Sequence, residues 1–188
     1  MVLFVNACVR RERSRTLRLA KKLLSHLDGD VETLDLTKNE ISPLTPELLD
    51  ERERLAAAGD FSGDVFRYAR QFAGAEDIVI AAPFWDMSFP ALLKIYIERI
   101  CVVGVTFDYN EDNEPVGLVR AKRLFFVTTG GGVIPDTNFG IDQIRALAEG
   151  FFGIPEICCI KADTLDYVGV DPEKLLLDAE AEIERLFA

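Results

Sequence analysis

The chain is expected to fold as a doubly wound α/β protein, and three features of the sequence predict it. Five short runs are nearly all apolar, as strands of a parallel sheet must be when helices cover both faces. Between them, apolar residues recur at spacings of three and four, the period of a helix with one buried face. Strand and helix patterns alternate along the chain, and right-handed crossovers then set helices on both faces of one five-stranded sheet, in three layers. A length of 188 residues suits a single domain, 1–188.

The first run is "VLFVN" (2–6). Leu17, Ala20, Leu23, Leu24 and Leu27 then trace a helix, with Gly29 placed to end it. "VETLDL" (31–36) is the second strand. The long connection 37–64 is broken by Pro43 and Pro46 and is expected to be helical in its centre. Val65, Tyr68, Ala69, Phe72 and Ala73 trace the next helix, with Asp64 as its N-cap and Gly74 at its end. "DIVIAA" (77–82) is the third strand, followed by a helix from Pro90 through Leu93, Ile97 and Ile100. In 104–119, "TFDY" and "VGLV" flank an acidic, turn-rich tip and predict a hairpin excursion. "RLFFVTT" (123–129) and "EICCIKA" (156–162) complete the sheet. Ile141, Ile144, Leu147 and Ala148 mark the helix between them, and Pro172 opens a last one carrying Leu175, Leu176, Ala179, Ile183 and Leu186.

The formal net charge of −11 disfavours nucleic acid and anionic membrane surfaces as partners. One compact basic cluster, Arg10, Arg11, Arg13, Arg15 and Arg18, suits a single small anion better than a polymer. The four cysteines lack metal-site spacing and read as small buried hydrophobes; adjacent Cys158 and Cys159 should face opposite sides of their strand. The lone histidine, His26, reads as a solvated surface residue, and no metal site is expected. With no apolar segment long enough to span a bilayer and no secretory signal, a cytoplasmic protein is expected.

In an open parallel sheet, ligands bind beyond the carboxyl ends of the strands where strand order reverses. Three loops lie there: "NACVRRERSRT", "APFWDMSFP" and "TTGGGVIPD". The first offers helix-start N–H groups and the hydroxyls of Ser14 and Thr16 to a phosphate; the plainer reading is that Ser14 only caps the helix. It has neither a Walker lysine nor a G-x-G-x-x-G pattern. The second loop places Phe84, Trp85, Asp86 and Met87 as a flat wall for a planar ring. In the third, Gly130, Gly131 and Gly132 allow close backbone approach, or simply a tight turn. A phosphate grip, a ring wall and a glycine approach in this order fit a flavin mononucleotide (FMN) site in the doubly wound fold of order 2-1-3-4-5. The long connections 37–64 and 104–119 are expected to wall that pocket or to meet a partner.

"SRTLRLAKKLL", "APFWDMSFPALLKIYIERICVVGVTFDY" and "KRLFFVTTGGG" resemble three blocks of the flavodoxin-like NAD(P)H:quinone oxidoreductases and FMN-dependent azoreductases, and the middle block is the specific one. The resemblance implies that Ser14, Arg15 and Thr16 bind the FMN phosphate. It implies that Phe84, Trp85, Asp86 and Met87 line the ring and ribityl, and that Thr128, Thr129, Gly130, Gly131 and Gly132 meet the pyrimidine side. It further implies a homodimer with active sites at the subunit interface, both long loops contributing. NADH or NADPH would give a hydride to the flavin, and a quinone or azo compound would take it, in ping-pong order. The tyrosine and histidine that certain such reductases carry after the glycine turn are missing from "VIPDTNFGID", and Asp86 stands where azoreductases often have an amide. No side chain is therefore assigned as catalytic.

Two alternatives stay open. A flavodoxin-type electron carrier would share the acidic charge but lack a nicotinamide site. A low-molecular-weight tyrosine phosphatase would need C-x5-R-S around a thiolate, whereas Cys8 to Arg13 is C-x4-R.

Overall fold

The computed structural model describes residues 1–38 and 41–188. Five parallel strands form the central sheet: β1 (Val2–Asn6), β2 (Val31–Asp35), β3 (Asp77–Ala81), β6 (Arg123–Thr129) and β7 (Glu156–Ala162). Their order is β2-β1-β3-β6-β7, with the antiparallel pair β4 (Phe107–Tyr109) and β5 (Pro115–Gly117) set apart as a hairpin. Counting core strands alone, this is the predicted order 2-1-3-4-5.

Alternation within each strand builds two cores. Leu3, Val5, Ile78, Ile80, Leu124 and Phe126 pack on one face. They meet α3 (Arg67–Gly74), α4 (Ala91–Ile100) and α5 (Ile141–Leu147) through Phe72, Leu93 and Ile144. Val2, Phe4, Val79, Phe125 and Val127 pack on the other, against α1 (Arg15–Leu24) and α6 (Pro172–Leu186). Cys158 and Cys159 fall on opposite faces, and all four cysteines are free thiols. The edge strands are less buried: Val31, Glu32 and Thr33 of β2 and Glu156 and Lys161 of β7 are exposed.

The helix of the first long connection is α2 (Pro46–Ala57), capped by Thr45, whose hydroxyl accepts from Leu48 N–H at 3.3 Å. It has no fully buried residue and rests through Leu55 and Ala56 on a small cluster with Val65, Phe66 and Val102. The second connection is the expected hairpin. Phe107 stacks on Phe151 at 4.6 Å, and a Cβ on Gly117 would lie 2.2 Å from the backbone of Phe152. That fixes it at the end of α5, by the amino-terminal edge of the sheet.

Three local expectations need correction. Asp64 does not cap α3: it begins a single 3-10 turn, Asp64–Phe66, that leads straight into the helix. α1 ends at Leu24 with Ser25 as its cap, and Gly29 (φ 97°) instead turns the chain toward β2. His26 is half-buried, not solvated, since its ring stacks on Phe187 at 5.4 Å. Among the described residues, no helix is long and apolar enough to cross a membrane, and no cluster of His, Cys, Asp or Glu could hold a metal.

Candidate functional site

At the carboxyl edge, three loops are knitted together by hydrogen bonds between them. Asn6, the last residue of β1, accepts from Cys8 N–H at 3.0 Å and shapes the first loop. That loop makes one 3-10 turn (Arg11–Arg13) and then starts α1. Ser14 is the cap, accepting from Leu17 N–H at 3.2 Å. The N–H groups of Arg15 and Thr16 stay without a partner among the described residues, at the positive end of the helix dipole. Capping and anion binding are thus compatible: the cap satisfies one orphan donor and leaves two for a ligand.

The Thr16 and Thr129 hydroxyls lie 2.6 Å apart, both residues buried, and join this helix start to the end of β6. Phe84 N–H donates to Thr129 O at 2.9 Å, which ties in the loop after β3. There Trp85 and Ser88 exchange backbone bonds around Asp86 (φ 53°) and Met87 (φ 64°). Positive φ at both central positions marks a two-residue turn of the type I′ kind, a conformation that side chains such as methionine resist.

The glycine turn leans on a fourth loop, 163–171, which follows β7. Gly130 N–H donates to Ala162 O, while the carbonyls of Gly130, Gly131 and Gly132 accept from Leu165, Asp166 and Thr164. A Cβ on Gly131 would sit 2.3 Å from Asp166 Oδ2, so close packing is one reason glycine stands there. Gly131 and Gly132 keep their own N–H groups free of partners among the described residues. The Gly130 amide, by contrast, is used internally.

These loops enclose a cleft of about 220 Å³. Ser14, Arg15 and Thr16 line one end, Phe84 and Trp85 a wall, and Thr129, Gly130 and Gly131 the floor. Arg10, Arg13, Leu165 and Asp166 also line it. Arg15 pairs with Asp166 at 2.7 Å across the lining. Arg10 and Arg13 form no ion pair among the described residues, so the phosphate-sized end is strongly positive in an acidic protein.

Eight of the twelve residues read from the sequence meet in this cleft, and four do not. Thr128 points to the opposite face of the sheet, into a separate cavity with Phe126 and Lys161. Met87 lies in a surface recess beside Phe139. Asp86 is exposed at the turn, and Gly132 lies next to the Tyr167 ring. Asp166 was missed, whereas Arg10 and Arg13, read from the sequence only as members of a basic cluster suited to a small anion, join the cleft. Among the described residues, neither long connection lines the cleft of its own chain, contrary to the expected walls.

The phosphatase reading fails on chemistry as well as spacing. Cys8 is fully buried, its thiol directed at Ala81 O (3.6 Å), and burial pushes its pKa up to about 11. A thiolate nucleophile needs the reverse shift.

A parallel sheet in this order, with a helix start, an aromatic wall and a glycine turn meeting on one rim, defines a flavodoxin-type α/β protein. The family described as flavodoxin-like fold is matched over residues 1–186, and the chain belongs to it. It is 37% identical over 185 residues to FMN-dependent NADH:quinone oxidoreductase 2 of Clostridium acetobutylicum, covering 93% of this chain and 92% of that protein. It is 35% identical over 186 residues to the FMN-dependent NADH:quinone oxidoreductase of Clostridium beijerinckii, covering 95% and 93%. The crystal structure of azoreductase from Bacillus anthracis str. Sterne superposes with a TM-score of 0.84 at 23% identity, over 99% of this chain and 97% of that one, a likeness of fold.

Proposed function

We propose that the chain, as one domain over 1–188, is an FMN-dependent oxidoreductase that takes reducing equivalents from NADH or NADPH and passes them to quinones, with azo compounds as further acceptors. The observation that carries this reading is the single cleft in which an anion-binding helix start, a two-ring aromatic wall and a glycine turn with free N–H groups converge. The relatives named above support the same activity.

The residues present fit FMN. The N–H groups of Arg15 and Thr16, the Ser14 hydroxyl and the guanidinium groups of Arg10, Arg13 and Arg15 would hold its phosphate. Phe84 and Trp85 would orient the ring, together with main-chain atoms of Asp86 and Met87. The free N–H group of Gly131 would meet the pyrimidine edge and stabilise negative charge there, in a site partly shielded from water. FMN, when bound, supplies hydride chemistry that no side chain of this protein can supply. The chain's own work is to bind, orient and exclude water; donor and acceptor approach the same cleft in turn.

The reading includes a homodimer. The hairpin β4–β5 sits by the sheet's amino-terminal edge, where it cannot wall its own cleft, yet it exposes Tyr109, Val116 and Leu118. The cleft rim exposes Met87, Val133 and Phe139, the last at 74%. A second copy related by a two-fold axis would cover both sets. A cytoplasmic location agrees with four free thiols and a nicotinamide donor.

The test is direct. The purified chain should be yellow, or become so with FMN, and should oxidise NADH or NADPH when a quinone is added. A colourless protein that FMN cannot reconstitute would overturn the proposal.

A further inference from the structure

Beside the edge strand β7 lies a second cavity of about 330 Å³, larger than the 220 Å³ cleft. Its floor is one face of two paired strands: Phe126 of β6 stands opposite Cys159 of β7, and Thr128 opposite Lys161. Paired strands run about 5 Å apart, so Thr128 and Lys161 are immediate neighbours on that face. Ile134, from the loop after β6, closes the cavity together with Ile141 and Arg145, which lie one turn apart on α5. Glu182 reaches it from α6, round the edge of the sheet. Apolar walls with a few polar groups at this volume are the make-up of a small-molecule pocket.

Two of the polar groups have no partner in the fold. Thr128 is 3% exposed, and its hydroxyl makes no hydrogen bond among the described residues. A buried hydroxyl left unpaired is costly, so whatever fills the cavity must supply the bond. Glu182 likewise has neither an ion pair nor a hydrogen bond among the described residues. Lys161 pairs with Asp136 at 3.0 Å and Arg145 with Asp142 at 3.3 Å, but half-exposed pairs of this kind hold weakly and can exchange for another carboxylate. Burial pushes the Cys159 thiol up to about 11, while Lys161 and Arg145 act on it in the opposite direction and Glu182 in the same one. Charges of both signs thus face one small volume.

We propose that this cavity binds a free α-amino acid with an apolar side chain. The carboxylate accepts from the Thr128 hydroxyl and takes Lys161 and Arg145 as counter-ions. The ammonium pairs with Glu182, and the side chain lies against Phe126, Ile134 and Ile141. A simple carboxylic acid would leave Glu182 unpaired beside it, and a simple amine would face two cations, so the mixed charge selects a zwitterion. The site is separate from the cleft and does not depend on the proposed redox activity.

Calorimetric titration of the full chain, with FMN in excess so that the cleft is filled, tests this with phenylalanine as the probe. Phenylalanine should bind once per chain with a dissociation constant of about 1 mM or tighter. Phenylpropionate, which lacks the ammonium, and phenethylamine, which lacks the carboxylate, should each bind about tenfold more weakly. Glu182→Gln should weaken phenylalanine about tenfold and leave phenylpropionate unchanged. Thr128→Val keeps the shape and removes the hydroxyl; it should weaken phenylalanine and phenylpropionate about fivefold but not phenethylamine. No binding of phenylalanine, or a singly charged analogue that binds as tightly, overturns the proposal. Full phenylalanine affinity in Glu182→Gln overturns it too, and because Glu182 is exposed that variant leaves the core intact should Thr128→Val not fold.

Discussion

The hydroxyl pair Thr16–Thr129 is where the site and the stability of the fold meet at the scale of one residue. Both groups are buried, and the 2.6 Å contact is the direct side-chain bond between the helix start and the end of β6. Thr16→Val removes one partner and strands the other hydroxyl away from water, which should cost about 1–3 kcal/mol in denaturant unfolding. Adding Thr129→Val should recover most of that loss, because two facing methyl groups need no partner. If the double variant is as unstable as the sum of the singles, the pair is not the cause. Residues of this kind were partly legible. That Thr128 and Thr129 could not both reach one ligand follows from strand alternation alone, which sends neighbours to opposite faces. Asp166 gave no such signal. It sits in "ADTLDYVG", a stretch with no motif, and joins the cleft only because the glycine turn leaves space for it beside Gly131.

At the scale of an element, the turn after β3 is the place where local preference and structure disagree. Asp86 and Met87 both adopt positive φ, although neither is glycine. For a non-glycine residue this costs roughly 1–2 kcal/mol, and aspartate bears it more easily than methionine. Met87→Gly should therefore stabilise the protein by about 0.5–1 kcal/mol, after allowing for the added freedom of glycine in the unfolded chain. The bond from Phe139 N–H to Met87 O is retained in that variant, because it uses only main chain. A urea midpoint that stays put or falls would show that the methionine side chain contributes more than the strain takes away. The sequence "FWDMS" announced an aromatic wall, but nothing in it predicted a primed turn, whose usual mark is Asn-Gly or Asp-Gly. Elsewhere the elements were readable because periodicity and breakers agreed, as with Pro172 opening α6. They failed where a tertiary contact chose the boundary: α3 follows directly on a 3-10 turn, and α5 runs on as a π-turn through Phe152 to reach the hairpin.

At the scale of the whole molecule, the sheet separates two surfaces that the proposed chemistry needs together. The cleft opens at the carboxyl edge, whereas the hairpin projects by the amino-terminal edge, so one chain cannot bring its own Tyr109 to its own Trp85. The separation was legible too, since the helix read from Pro90 to Ile100 must carry the chain back across the sheet before the hairpin begins, although both long connections read as walls of the cleft. The proposed two-fold dimer would resolve the geometry if each hairpin faced the other copy's cleft. The consequence is intersubunit complementation. Tyr109→Glu should depress quinone reduction while leaving FMN bound, and Trp85→Ala should depress it by damaging the ring wall. In the proposed dimer neither variant homodimer should be active, whereas a mixed dimer would contain one cleft with an intact wall facing an intact hairpin. Unfolding and refolding the two variants together in equal amounts should restore about a quarter of wild-type turnover, the statistical share of sites with both parts intact. Activity that stays at the level of the separate variants, in a mixture shown by size-exclusion to be dimeric, would mean that the hairpin does not serve the neighbouring cleft.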